Sequence, residues 1–164
     1  MAMKFIVDIN VGKLAKWLRI MGYDALLFKD KDDSDMVKIA LRQDRIILTK
    51  DTGIMRRRLI TSGKLKALLI EGEKSELQIR QVADKLGLDF RFNPFSLCLE
   101  CNETLIETSK DSLEGSVPPY VYKTYDFYMQ CPSCHRVYWR GTHWEAMSKK
   151  LDEFAANKRE YRPL

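Results

Sequence analysis

No run of eighteen apolar residues occurs in the chain, and a bilayer-crossing helix needs about that many, so we expect no membrane span. Internal repeats and low-complexity tracts are also missing, which leaves no room for a solenoid or a long disordered spacer. The opening MAMKFIVD holds neither a long apolar stretch nor a small-residue cleavage site. We therefore expect no signal peptide and a cytoplasmic location. Histidine is scarce, with only His135 and His143; either could replace a thiolate, although packing or substrate contact suits them better. Cysteine is scarce as well, and all four fall in two C-x-x-C pairs, Cys98/Cys101 and Cys131/Cys134. In a reducing compartment such pairs are metal ligands more often than disulfides.

The composition that remains is that of a soluble domain, 45% apolar and 31% charged over 164 residues, enough for one full core and a small satellite. The net charge of +5 is unevenly spread. The first 97 residues hold 19 basic and 13 acidic side chains, and the remainder 9 and 10. The basic excess therefore belongs to the amino-terminal part. A polyanion such as nucleic acid is the usual reason for such a field.

Periodicity predicts alternating strands and helices. Lys4 to Ile9 reads as a buried strand, followed by a helix with Leu14, Trp17, Leu18 and Met21 on one face, Lys13, Lys16 and Arg19 on the other, and Gly22 as its C-cap. Asp24 to Phe28, Arg45 to Thr49 and Lys66 to Glu71 follow as strands. Ser34 to Gln43, Gly53 to Ser62 and Ser75 to Leu86 follow as helices, and Phe90 to Phe92 as a candidate fifth strand. That alternation implies an α/β domain with a parallel sheet wrapped on both sides. Composition changes after Pro94, giving an expected division into residues 1–94, a cysteine-bearing module at 95–147, and a closing helix and tail at 148–164.

In an open α/β sheet the functional crevice lies beyond the carboxyl ends of the strands. Asp8 and Asp51 sit there, and a third acid comes from the run Asp30, Asp32, Asp33 and Asp35, with Asp33 the natural N-cap of the second helix and Asp35 in its first turn. The plainer reading is that these acids cap helices and line turns. Brought together, however, each like-charged pair at ~4 Å costs about 4 kcal/mol, more than a capping bond returns. Mg²⁺ or Mn²⁺ removes that conflict and suits an oxygen-only ligand set. Lys50, Arg56, Arg57 and Arg58 surround Asp51, and Lys13, Lys16 and Arg19 follow Asp8, so both acids are trailed by cations able to hold a phosphate backbone. A solvated helix face explains the arginine run equally well.

The cysteine pairs predict a tetrathiolate structural zinc, since four thiolates close the tetrahedral shell and leave no open position. The aromatic set Tyr120, Tyr122, Tyr125, Phe127, Tyr128, Tyr138, Trp139 and Trp144 reads mostly as the core of a small module. Trp139, Arg140 and Trp144 are the better candidates for an exposed edge that contacts bases.

FIVDINVGKLAKWLRIMGYD, DSDMVKIA, RIILTKD, CLECNETL, VPPYVY and CPSCHRVYWRGTHW occur in that order, and together they resemble the Mut-seven C-terminal RNase family. The resemblance spans about Phe5 to Met147. It implies a PIN-like three-layer α/β/α nuclease domain followed by a zinc ribbon, acting on RNA with Mg²⁺ or Mn²⁺ and leaving a 5′-phosphate and a 3′-hydroxyl. By the same resemblance Asp8, Asp33 and Asp51 bind the catalytic metal, with Asp35 a substitute for Asp33. Thr49 stands beside Asp51, Asn10 orients the attacking water, and Glu71 is a possible fourth acid. Cys98, Cys101, Cys131 and Cys134 match the ribbon ligands. Two other classes remain open: an RNA-binding adaptor with a vestigial site, and a haloacid dehalogenase-type phosphatase. The second wants an acid where this chain has Asn10.

Overall fold

Short, nearly all-apolar strands are the mark of a sheet covered on both faces, and four of them pair here in parallel. In the computed structural model, which describes residues 2–157, β1 (Lys4–Asp8), β2 (Ala25–Phe28), β3 (Arg45–Thr49) and β4 (Ala67–Leu69) lie in the order β2-β1-β3-β4. The part of the predicted tail beyond residue 157 lies outside the described residues. Because successive side chains point to opposite faces, β1 and β3 each feed two cores. Phe5, Val7, Ile46 and Leu48 enter one, and Ile6 and Ile47 the other.

On the first face, α1 (Lys13–Met21) contributes Leu14 and Leu18, and α5 (Ser75–Leu86) contributes Ile79 and Val82. Each such fully buried side chain contributes about 1.5–3 kcal/mol. On the second face, α2 (Asp33–Gln43) supplies Met36, Val37 and Ala40, and α3 (Thr52–Met55) supplies Ile54. The chain leaves β1 toward β2 and then returns across it to β3. Right-handed crossovers therefore require α1 and α2 to lie on opposite faces, as they do.

Helix α1 ends at Gly22, where φ is +94° and an added Cβ would stand 2.2 Å from the Asn93 carbonyl oxygen. The close approach exists because Asn93 N–H donates to Met21 O and Phe95 N–H to Ile20 O, which pins the chain after α5 to the end of α1. A second, antiparallel sheet follows, β5 (Ile106–Thr108), β6 (Tyr128–Gln130) and β7 (Val137–Tyr138), with α6 (Pro119–Thr124) between β5 and β6. Tyr128 is fully buried among Leu113, Val117 and Val121, and its hydroxyl donates to Val121 O and Tyr125 O. Finally α7 (Thr142–Ala156) returns to the parallel sheet and buries Leu151 and Phe154 in the α1/α5 core.

Several expectations are corrected. Phe90 to Phe92 is a turn closed by Phe92 N–H to Asp89 O, not a strand. The single helix expected from Gly53 to Ser62 is two short ones, α3 and α4 (Arg58–Thr61), because Arg57 adopts extended backbone angles between them. Strand β4 is shorter than Lys66 to Glu71, and α7 starts at Thr142, ahead of the closing helix expected from residue 148. Among the described residues no helix is long and apolar enough to cross a membrane.

Candidate active site and thiol cluster

Side-chain parity determines which way the strand-end polar groups point. Asp8 leaves β1 on the side of Ile6, and Thr49 leaves β3 on the side of Ile47, so both face α2. Val7 pairs with Leu48, which sets Asp8 and Thr49 side by side at the next register. The Thr49 hydroxyl donates to Asp8 Oδ2 at 2.7 Å and accepts from Asp51 N–H at 3.0 Å. Both side chains are buried where the strand order reverses about β1, the switch point at which open α/β sheets bind ligands.

Asp51 is held one step further out. Its Oδ1 accepts from Gly53 N–H at 2.7 Å and caps α3, and a Cβ at Gly53 would come within 3.0 Å of that oxygen. Asp33 arrives from the first turn of α2. Its carboxyl is held above the usual Asp range, first by partial burial and then by the negative charges of Asp51 and Asp8, with Arg57 opposing. The N-cap of α2 is Asp32, whose Oδ1 accepts from Ser34 N–H, so Asp33 is not spent on capping as expected. Asp35, two residues and about 200° further round the helix, is exposed.

The surrounding cations divide into two groups. Lys50 is half-buried and pairs with Glu73, while its N–H is held by Asn10 Oδ1 at 3.3 Å. Arg57 donates to Ser34 Oγ at 3.2 Å beside Asp33, and Arg56 and Arg58 are exposed. Lys13 and Lys16 are exposed on α1, but Arg19, on the same side of the helix, is not. It is buried, with Nε donating to Ala25 O at 3.0 Å and Nη1 to Leu99 O at 2.7 Å. These carbonyls compensate a desolvated guanidinium whose pKa burial lowers, and they make it a clamp instead of a phosphate contact. Glu71 is exposed, with its N–H bonded to Gln81 Oε1.

The thiols gather more closely. Cys98, Cys101, Cys131 and Cys134 offer sulfurs all within 4.8 Å of one another, the one such group of three or more Cys, His, Asp or Glu among the described residues. Two equivalent loops build it. Cys98 N–H donates to Glu103 O and Asn102 N–H to Cys98 O; Cys131 N–H donates to Arg136 O and His135 N–H to Cys131 O. The fifth residue of each, Asn102 and His135, has φ of +64°, a conformation that Asn and His tolerate better than most. His135 is thus a turn residue outside the thiol group. Burial would raise the Cys98 thiol, but hydrogen bonds from Tyr138 Oη and backbone N–H groups bring it down to about 7. Cys101 is pushed up to about 12, first by its hydrogen bond with Cys134. Four sulfurs this close together fit a soft divalent cation, and the cluster could hold a structural metal such as zinc.

Asn102 has a second function that its place after a C-x-x-C pair did not announce. Its Oδ1 accepts from Ala25 N–H at 3.0 Å and its Nδ2 donates to Asp24 Oδ1 at 2.6 Å. Together with Arg19 it fastens the first loop to the edge strand β2. Of the aromatic set, Trp139 is half-buried against the Tyr128 core, Trp144 packs on Phe95 at 4.9 Å, and Arg140 is exposed.

Residues 3–151 match the sequence model of the family described as the Mut7-C RNAse domain. No curated protein and no solved structure matches the chain. A nuclease-like function directed at RNA is what that family description carries.

Proposed function

The chain belongs to the Mut7-C RNAse domain family, and from that premise we propose a metal-dependent endoribonuclease of PIN-like fold over about residues 1–94, with a zinc ribbon over 95–147 and a helix and tail over 148–164. The observation that carries this reading is the hydrogen-bonded chain from Asp8 through Thr49 to Asp51 at the sheet's switch point, with Asp33 near enough to feel the charges of Asp51 and Asp8. Asp8, Asp33 and Asp51 hold Mg²⁺ or Mn²⁺, because an all-oxygen set with raised charge repulsion suits a hard cation. Such an ion supplies positive charge at the phosphoryl oxygen and lowers the pKa of water.

The remaining work is done by the chain's own groups. The Thr49 hydroxyl donates a hydrogen bond to Asp8 Oδ2 and so fixes the orientation of that buried carboxyl group. Asn10, anchored on Lys50 N–H, orients the attacking water. Lys13, Lys50, Arg56, Arg57 and Arg58 hold the scissile strand by its phosphates, which sets register without reading sequence. Hydrolysis then leaves a 5′-phosphate and a 3′-hydroxyl. The free thiols suit a reducing, cytoplasmic setting.

The test is cleavage of structured and single-stranded RNAs with Mg²⁺, Mn²⁺ or chelator, comparing the native chain with Asp8→Asn. Cleavage should require the metal and fall by about 10²–10³-fold in the variant. Chelator-resistant products, or equal cleavage by Asp8→Asn, overturn the proposal. RNA binding without cleavage by either protein would mark an adaptor instead.

A further inference from the structure

A groove of about 660 Å³ runs along α1, between the parallel sheet and the thiol module. Gly12 and Lys13 line one end, directly after the turn that follows Asp8. Lys29 lines it too, and it follows Phe28, the register partner of Asp8, so this end opens on the same carboxyl rim as the acids. Lys16 stands on the wall, and Cys101 and His143 lie further along. His143 also borders an adjoining aromatic hollow of about 260 Å³ with Tyr120, Trp139 and Trp144. Beyond Trp144 the exposed Arg140 lies over the rings of Phe127 and Trp144, at 5.3 and 5.2 Å.

We infer that this groove is the track of single-stranded RNA leaving the acid rim, with Lys13, Lys16 and Lys29 on its phosphates and the hollow beyond His143 stacking its bases. The inference rests on the nuclease reading of the rim. The charge balance supports an anionic occupant: Lys13, Lys16 and Lys29 face a single carboxylate, Glu100, the thiol cluster reaches the wall only through Cys101, and the 3.5 Å Lys16–Glu100 pair leaves both side chains about half exposed. An exposed pair of that kind is worth little and yields readily to phosphate. The order of chemistry supports an unpaired strand: cations come first, near the rim, and aromatic faces follow. Bases already stacked in a duplex have no use for such faces, whereas splayed bases do.

The experiment uses the full zinc-loaded chain carrying Asp8→Asn, so that RNA survives, with and without Lys16→Glu and Lys29→Glu. Both lysines are exposed, and circular dichroism and zinc content should be unchanged. Affinity for a fluorescent oligouridylate should fall about 10-fold or more, and the dependence of log affinity on log salt should become shallower by about 1.4. Oligouridylate containing 4-thiouridine should cross-link to the peptide bearing His143 and Trp144. Unchanged affinity, or cross-links confined to other peptides, overturns the track. Hydrolysis of bis(p-nitrophenyl) phosphate with Mn²⁺ examines the rim alone. If it depends on Asp8 while the lysine variant binds normally, the track fails and the nuclease stands. If it is absent while the lysine variant loses binding, the nuclease reading fails and the track stands.

Discussion

Four sulfurs within 4.8 Å form a closed set in the carboxy-terminal module, whereas the acids of the sheet rim stand looser, each secured to a different neighbour: Asp8 to Thr49, Asp51 to Gly53 and Asp33 to the first turn of α2. The thiols come from two copies of one loop, each fixed by the same pair of backbone hydrogen bonds. The acids come from three elements that share only a rim. On the proposed reading, the closed thiol set would bind a soft structural cation in place of a large hydrophobic core, and the open acid set would leave room for water and substrate around a hard one. Removing one ligand from each should therefore change stability in opposite directions.

The largest effect is expected at the thiols. Cys131 is fully buried beside Cys98 and Leu105, and the Tyr128 cluster next to it has four buried residues, too few to stand alone. Structural zinc contributes on the order of 10 kcal/mol in small domains. Cys131→Ser should lose bound zinc by elemental analysis and abolish the near-ultraviolet dichroism of the tyrosine-rich module. A variant that keeps full zinc and full signal would remove the distinction between a metal-built module and a core-built one.

A smaller effect tests how the two regions are joined. Asn102→Gly keeps the left-handed backbone but strips Ala25 N–H of its side-chain partner and leaves Asp24 with Arg45 alone, which should cost about 1–3 kcal/mol in denaturant unfolding. Asp24 tells the same story: burial works against its charge, yet Arg45 and Asn102 together hold its pKa below the ordinary value. His135→Gly makes the same change in the second loop, where the histidine is exposed, and should cost less than about 0.5 kcal/mol. Equal costs would show that the clamp on β2 contributes nothing beyond loop geometry.

Much of this was legible in the sequence, for physical reasons that also explain what was not. FIVD and RIILT announce buried strands ending at a rim, and Leu14, Trp17, Leu18 and Met21 announce the face of α1, because burial imposes a period. The thiol spacing announces its cluster because C-x-x-C is local geometry. Arg19 was read as exposed because it sits at the charged period of α1, and nothing local reveals that Leu99 O, eighty residues on, would receive it. Capping by Asp32 instead of Asp33 was a choice among four nearby acids that only the entry angle of α2 decides. The break at Arg57 has no Gly or Pro to mark it. The equivalence of Asn102 and His135 was visible as CLECN and CPSCH, but only the shared positive φ gives it meaning.

The smallest effect carries the sharpest sign. Partial burial and then the charges of Asp51 and Asp8 raise the folded-state pKa of Asp33, so its ionised form is disfavoured by folding. A group of that kind destabilises the fold at neutral pH. The penalty fades as pH falls through the raised value and is gone below the ordinary value of 3.8. Asp33→Asn should therefore raise the melting temperature of the metal-free chain at pH 7 by about 1–3 °C, and the gain should disappear in acid. Mg²⁺ or Mn²⁺ should raise the native chain's melting temperature more than the variant's, because the cation relieves in one what the substitution relieves in the other. A variant less stable than the native chain without metal, or equally stabilised by it, would show that Asp33 is an ordinary helix-start acid. The rim would then rest on Asp8 and Asp51 alone.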